Sequence, residues 1–127
     1  SVFQTLYEAK FPVHSAKTID AYNGSDDASM ADNNTSAFNC RKVGGTTRWS
    51  EHASGLALDL NPLQNPMVKG SRVYPPEGKN WLDRADVRPG MITDGDVAVK
   101  AFAAIGWKWG GHWNSLKDYQ HFSKSGH

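Results

Sequence analysis

The alternation of apolar and polar positions is sharpest in "SEHASGLALDLNP", Ser50 to Pro62. Leu56, Leu58 and Leu60 alternate with Ala57 and Asp59, the period of a strand with one face buried. Asp59 then projects from the face opposite the leucines, with only Gly55 and Ala57 beside it. Asn61-Pro62 closes the strand, since proline has no N–H to give to a ladder. At the start of the chain Val2, Phe3, Leu6 and Tyr7 recur at helical spacing, and Pro12 stops that helix. A short strand is expected over Val13–Ala21. Residues 23–36, "NGSDDASMADNNTS", are turn formers and polar residues, which predicts an ordered loop carrying one helical turn. "AFNCRKV" (37–43) reads as a second strand, with Gly44-Gly45 as its turn.

A Pro/Gly-rich excursion runs from Pro62 to Pro89. The clearest helix follows in "TDGDVAVKAFAAIGW", capped by Thr93 or Asp94 and ended by Gly106. Its apolar stripe is Val97, Ala101, Phe102 and Ile105. "KWGGHWNSLKDYQHFS" closes the chain with a turn and a final strand. These elements predict an α+β fold, a small and mainly antiparallel sheet with flanking helices. With 127 residues and no internal repeat, one domain spanning 1–127 is expected.

Charge and composition narrow the function. The formal net charge is +1, and no basic block suggests a nucleic-acid partner. No run approaches the roughly 20 apolar residues of a membrane span. The single cysteine, Cys40, excludes an internal disulfide and a multi-cysteine zinc module. Strand alternation places Cys40 in the core, opposite Arg41. The chain opens on Ser1 and carries no signal-like apolar segment. This reads as a mature or trimmed chain whose targeting peptide lies outside it.

The histidines at positions 14, 52, 112, 121 and 127 bring in the candidate chemistry. His52 accompanies Asp59, and His121 accompanies Asp118, both in strand-like contexts. A catalytic zinc site takes about three N/O ligands and an open position, and its water needs a base. Two histidines and two carboxylates fill those four roles. The same pairs also read as ordinary hydrogen-bonded contacts, and spacing alone leaves both readings open. His112 either replaces one of these ligands, lines the cleft, or is a loop histidine, the last being preferred.

"SEHASGLALDLNP" followed by "DYQHF" resembles a zinc metallopeptidase family. That family includes D-Ala-D-Ala carboxypeptidases, vancomycin-resistance D,D-dipeptidases and L-Ala-D-Glu endopeptidases of phages and bacilli. Its pattern is S-x-H-x-x-G-x-A-x-D, then [DE]-x-x-H near a tryptophan-rich segment. Ser50, His52, Gly55, Ala57 and Asp59 match the first part; Asp118 and His121 match the second. "DDASMADNNTSAFNCR" is similar to the loop and strand that precede the site in the endopeptidase-like branch.

The resemblance implies the D-Ala-D-Ala carboxypeptidase/hedgehog-like zinc peptidase fold. It implies Zn²⁺ as cofactor, with His52, Asp59 and His121 as its ligands and Asp118 as the general base. Arg41 matches the arginine that polarises the scissile carbonyl; read alone, it is equally a surface ion pair. Ser50 is a contact to substrate or ligand, or else a turn-capping hydroxyl. Trp109 and Trp113 are candidates for a cleft wall, and Tyr119 for the border of the metal. Trp49 and Trp81 read as packing. Asp27, Ser29 and Asn39 either shape a pocket or belong to plain turns.

The implied function is zinc-dependent hydrolysis of an amide bond in the peptidoglycan stem peptide, of D-Ala-D-Ala carboxypeptidase or L-Ala-D-Glu endopeptidase type. The implied setting is a monomer in the periplasm, at the cell wall, secreted, or in a phage lysis or tail protein. Two alternatives compete: a non-catalytic peptidoglycan-binding module, and a structural zinc domain with Asp118 or His112 as fourth ligand. Intact candidates for base and oxyanion partner argue against the binding module, because binding alone needs neither.

Overall fold

A computed structural model describes residues 1–127. Helix α1 (Val2–Glu8) starts where the Ser1 hydroxyl accepts the Gln4 N–H, and it buries Leu6. Helix α2 (Asp26–Ala31) is capped by Ser25, whose hydroxyl accepts the Ala28 N–H. Asp26 and Asp27 in its first turn suit the positive end of the helix. Helix α3 (Val97–Ala104) packs against α1. Its cap is Asp96, which accepts the Val99 N–H, rather than Thr93 or Asp94. Thr93 supports that cap by donating its own N–H to the second Asp96 oxygen.

The strands form two sheets where one was expected. In the first, β1 (Ala57–Asp59) pairs antiparallel with β6 (His121–Ser123), and β6 with β4 (Lys108–Trp109). In the second, β2 (Met67–Lys69) lies between β3 (Arg72–Tyr74) and β5 (Lys117–Asp118), again antiparallel. Only Tyr119 and Gln120 separate β5 from β6, so the chain crosses from one sheet to the other in two residues.

The core gathers Leu6, Leu58, Leu60, Ile92, Ala98, Phe102, Trp109 and Phe122. Phe102 stacks on Phe122 at a centroid distance of 4.0 Å, joining α3 to β6. The helical stripe is shifted: Ala98 joins it, Val97 is only partly buried, and Ile105 leaves it. Ala98, Ala101 and Phe102 are buried, but Ile105 is 54% exposed because it lies beyond the last helical residue.

β1 is buried on both faces, not one. Leu58 meets the core while Ala57 and Asp59 are covered too, and Leu56 stands outside the strand, 39% exposed. Its other edge is taken by Ser36, which exchanges both backbone hydrogen bonds with Asp59. That contact makes β1 an interior strand.

The expected strand over Val13–Ala21 reduces to a bridge at Ser15 and a 3₁₀ turn at Ile19–Tyr22. The buried Asn34 side chain explains this. Its oxygen accepts from Lys17 N–H and Ser15 Oγ, and its amide donates to Lys17 O. One side chain thus does what a partner strand would do. The expected strand over 37–43 is likewise only a bridge, Lys42 to Trp49. Without regular alternation there, Cys40 is exposed rather than in the core. Trp49 is 60% exposed beneath the Lys42 ammonium, not packing, whereas Trp81 is half-buried against the Arg88 guanidinium.

The Pro62–Pro89 excursion is tied down by polar side chains. Asn65 accepts from Ile92 N–H and Arg84, and donates to Leu60 O, Asn61 O and Gly90 O. Arg84 also bonds Gln64 O and Ile92 O. The excursion carries β2, and β2 holds β5 with Asp118 opposite Met67.

Candidate metal centre

The motif Ser50–Asp59 builds one wall of the site. The Ser50 hydroxyl accepts the His52 N–H at 3.3 Å and caps a 3₁₀ turn, Glu51–Ser54. Gly55 ends that turn at φ +69°, a left-handed conformation that favours glycine. The turn buries His52 and delivers the chain into β1. His52 Nδ1 lies 2.9 Å from Ala37 O. A carbonyl oxygen only accepts, so Nδ1 carries the proton and Nε2 is left with its lone pair.

That Nε2 faces Asp59 Oδ2 at 3.3 Å, is buried, and has no hydrogen-bond partner. Asp59 stands directly opposite His121 in the β1–β6 ladder. Asp59 Oδ1 is 3.1 Å from His121 Nδ1, and His121 Nε2 is 2.7 Å from the main-chain oxygen of His127. The ligand atoms of His52, Asp59 and His121 all lie within 4.8 Å of one another, and all three residues are buried. A buried imidazole nitrogen without a partner, beside a carboxylate and a second imidazole, fits a cation better than a closed hydrogen-bond network. The N, O, N donor set suits zinc chemistry.

Electrostatics ties the three together. Burial opposes the Asp59 charge, but His52 and His121 hold its carboxyl well below the usual range. Burial pulls His121 down, yet the Asp59 hydrogen bond and charge outweigh it and raise the imidazole to about 9. His52 is also raised, by Asp59 against burial. Without a metal, His121 therefore favours its imidazolium form at neutral pH.

Asp118 belongs to the other sheet. The residue is half-buried, and its Oδ1 is fully covered and lacks any hydrogen-bond partner. Burial raises its carboxyl to about 7, and the Asp59 charge adds to that; His121, His52 and the Gln120 N–H act in the opposite direction. A carboxyl poised near neutrality is matched to proton transfer at neutral pH. The two-residue crossover between the sheets brings Asp118 and His121 to one site.

Arg41 Nε lies 3.5 Å from Asp26 Oδ2, and Asn39 donates to the other Asp26 oxygen at 3.3 Å. The Arg41 carbonyl accepts the Ser50 N–H, so its backbone abuts the motif. Sequence reasoning missed Asp26. Its carboxyl is raised by burial, pulled down by Arg41, and feels both Asp59 and His52. The signal was a helix start in "SDDASM", which by itself says nothing of a site. Asn39 reaches this cluster through Asp26, whereas Asp27 is exposed and Ser29 is occupied with the Asn34 amide.

The other candidates separate. Trp113 holds its ring 5.4 Å from that of His121, centroid to centroid. Trp109 sits in the core with its indole N–H on Tyr119 O. Tyr119 lies in the crossover turn, not on a strand, and its ring packs beneath the Arg84 guanidinium at 4.4 Å. His112 is exposed and paired with Asp94 at 2.7 Å, apart from the three clustered residues.

A family model described as D-alanyl-D-alanine carboxypeptidase matches residues 44–124, more than half of the chain. No curated protein and no solved structure gives a significant match. The matched span holds Ser50, His52, Asp59, Asp118 and His121, while Asp26 and Arg41 precede it. On that match, the chain belongs to the D-alanyl-D-alanine carboxypeptidase family of peptidases.

Proposed function

We propose that this protein is a zinc peptidase hydrolysing an amide bond in the stem peptide of peptidoglycan. The observation that carries this reading is the buried His52–Asp59–His121 cluster, whose charges act on an Asp118 carboxylate with an unpartnered oxygen. His52 would hold the metal through Nε2, His121 through Nδ1, and Asp59 through its carboxylate. Zinc supplies Lewis acidity, activating water and polarising a carbonyl.

The remaining steps belong to the chain's own groups. Asp118 accepts a proton from the attacking water at Oδ1 and returns it to the leaving amine. A metal dication would draw the Asp118 carboxyl down from about 7, so the base form prevails at neutral pH. Arg41 offers positive charge to the oxygen of the scissile carbonyl, where negative charge develops. Asp26 holds the Arg41 side chain for that task. The Ser50 hydroxyl shapes the turn that presents His52, and its spare donor capacity is free for substrate.

A stem-peptide substrate places the protein in the periplasm, at the wall, in the medium, or in a phage lysis or tail assembly. No helix is long and apolar enough to cross a membrane. The test is incubation of zinc-loaded protein with purified peptidoglycan fragments, with products read by mass spectrometry and a chelator control. Chelator-sensitive loss of a terminal alanine defines a carboxypeptidase, and cleavage after the first stem residue an L-Ala-D-Glu endopeptidase. A folded, zinc-bearing sample that yields no product overturns the enzymatic reading.

A further inference from the structure

The segment after β6 folds back on the metal centre through four hydrogen bonds. Gly126 N–H donates to Ser123 Oγ at 3.1 Å, and His127 N–H donates to Ser125 Oγ at 3.2 Å. The Trp113 indole N–H donates to Gly126 O at 2.9 Å. His121 Nε2 then meets the main-chain oxygen of His127 at 2.7 Å. Gly126 adopts φ +88°, a left-handed conformation that favours glycine.

We propose that residues 123–127 form a hook that fixes the tautomer of His121 and thereby selects Nδ1 as its metal-binding atom. The main-chain oxygen of His127 can only accept, so the proton it receives must sit on Nε2. With Nε2 committed, the lone pair of the neutral ring is on Nδ1, which faces Asp59 Oδ1. His52 has the mirror arrangement, with Ala37 O committing Nδ1 and leaving Nε2. Each imidazole thus has a main-chain oxygen behind it and turns its other nitrogen toward Asp59. Main-chain acceptors bonded to the far nitrogen of a metal-binding imidazole orient the ring and raise its basicity.

Trp113 gains a definite role here. The sequence offered it as a cleft wall, but its indole N–H anchors the hook while its ring lies against His121. It is a positioning residue, acting on the metal through His121. The inference rests on the zinc reading of His121 and goes beyond it in assigning a function to a segment that supplies no ligand.

The test compares wild-type protein with Trp113→Phe and with a form lacking Gly126 and His127. Zinc affinity is measured by chelator competition, and the His121 tautomer by ¹⁵N NMR of the imidazole in zinc-loaded wild-type protein. The expected result is a dissociation constant raised about 10–100-fold in the shortened form, the range for loss of such a partner. Trp113→Phe should give a smaller rise, with unchanged thermal unfolding of the metal-free protein. Wild-type His121 should show a protonated Nε2 and a metal-bound Nδ1. The reverse tautomer overturns the hook, even if the shortened form fails to fold. Tight zinc binding by wild type with equal affinity in the shortened form also overturns it. Wild-type protein that takes up no zinc at His121 overturns the metal reading itself, and the hook with it.

Discussion

Asp59 on β1 and His121 on β6 stand opposite one another in antiparallel register, Oδ1 to Nδ1 at 3.1 Å. The carboxylate also lies 3.3 Å from His52, so one aspartate holds two imidazoles. Asp59→Asn keeps the shape and removes the charge. In the metal-free variant, His121 should then titrate well below about 9, because Asp59 supplies the largest of the influences that outweigh burial, leaving only Asp118 and the His127 oxygen to oppose it. NMR titration of the ring reads this directly. An unchanged His121 would mean that Asp59 is not what holds the proton.

The metal-free protein should lose stability as pH rises from about 4 to about 9. Asp118 is raised from 3.8 to about 7, so between those values the folded state binds more protons than the unfolded chain. Its contribution is complete at low pH and is lost as pH passes 7. His121, raised from 6.5 to about 9, adds a contribution that is complete below 6.5 and lost through 9. Asp59 acts in the opposite sense, its depressed carboxyl favouring the fold above 3.8 and losing that as pH falls. Zinc must displace the His121 proton, so the stabilisation it confers should grow with pH. Thermal unfolding across pH, with zinc and with chelator, should give two curves that diverge toward alkaline pH. Parallel curves would contradict this linkage.

Asp118→Asn should retain zinc and lose hydrolysis. An amide cannot accept the water's proton, and general-base catalysis contributes about 10²–10⁴-fold. The variant should also be at least as stable as wild type above pH 7, since it removes a buried charge whose Oδ1 has no partner. Zinc content, kcat and unfolding midpoint check the three parts separately. Full activity would remove Asp118 from the base role.

What the sequence made legible was local. The spacing Ser50, His52, Gly55 encodes a capped turn with a left-handed end, and Asp59 follows on a strand, so two of the three clustered residues lie within ten positions. His121 was readable as its partner because Asp118 and His121 match the compact [DE]-x-x-H pattern of the family the chain resembles, although that pattern spans two strands and the turn between them. The misses came where distant chain supplies the bonding. Ser36 turns β1 into an interior strand from a segment that looks like loop, and the Asn34 amide replaces a strand partner for Ser15–Lys17. Cys40 was misplaced because alternation was assumed where only one bridge exists. Asp26 and the Ser123–His127 hook carry no motif, since their relevance arises only when tertiary contacts deliver them to Arg41 and His121.

Arg41→Ala should lower kcat/KM by about 10²–10³-fold with zinc content unchanged, the cost of removing one group that stabilises oxyanion charge. Asp26→Asn should move in the same direction by a smaller factor, because it loosens Arg41 without removing it. Asn39 would lose its carboxylate acceptor but keep its backbone bond to His52 O, so the fold should hold. Steady-state kinetics beside metal analysis distinguishes this from loss of zinc. Equal activity in Asp26→Asn would show that Arg41 is positioned without it.

Gly110 sets how closely the chain after β4 approaches the proposed base. A Cβ there would lie 2.5 Å from Asp118 O and 3.0 Å from Asp118 Cβ, so alanine must push β5 away. Overpacking of this kind costs about 1–3 kcal/mol. The displacement acts on Asp118 and not on His52, Asp59 or His121, so Gly110→Ala should depress kcat more than zinc affinity. Gly55→Ala is the contrasting case. It meets open space, and only its φ of +69° is strained, which costs about 1–2 kcal/mol. That strain falls on the turn carrying His52, so Gly55→Ala should weaken zinc binding along with stability. Urea unfolding, zinc competition and kcat measured on both variants would separate a base displaced from a ligand displaced, and equal profiles would refute the distinction.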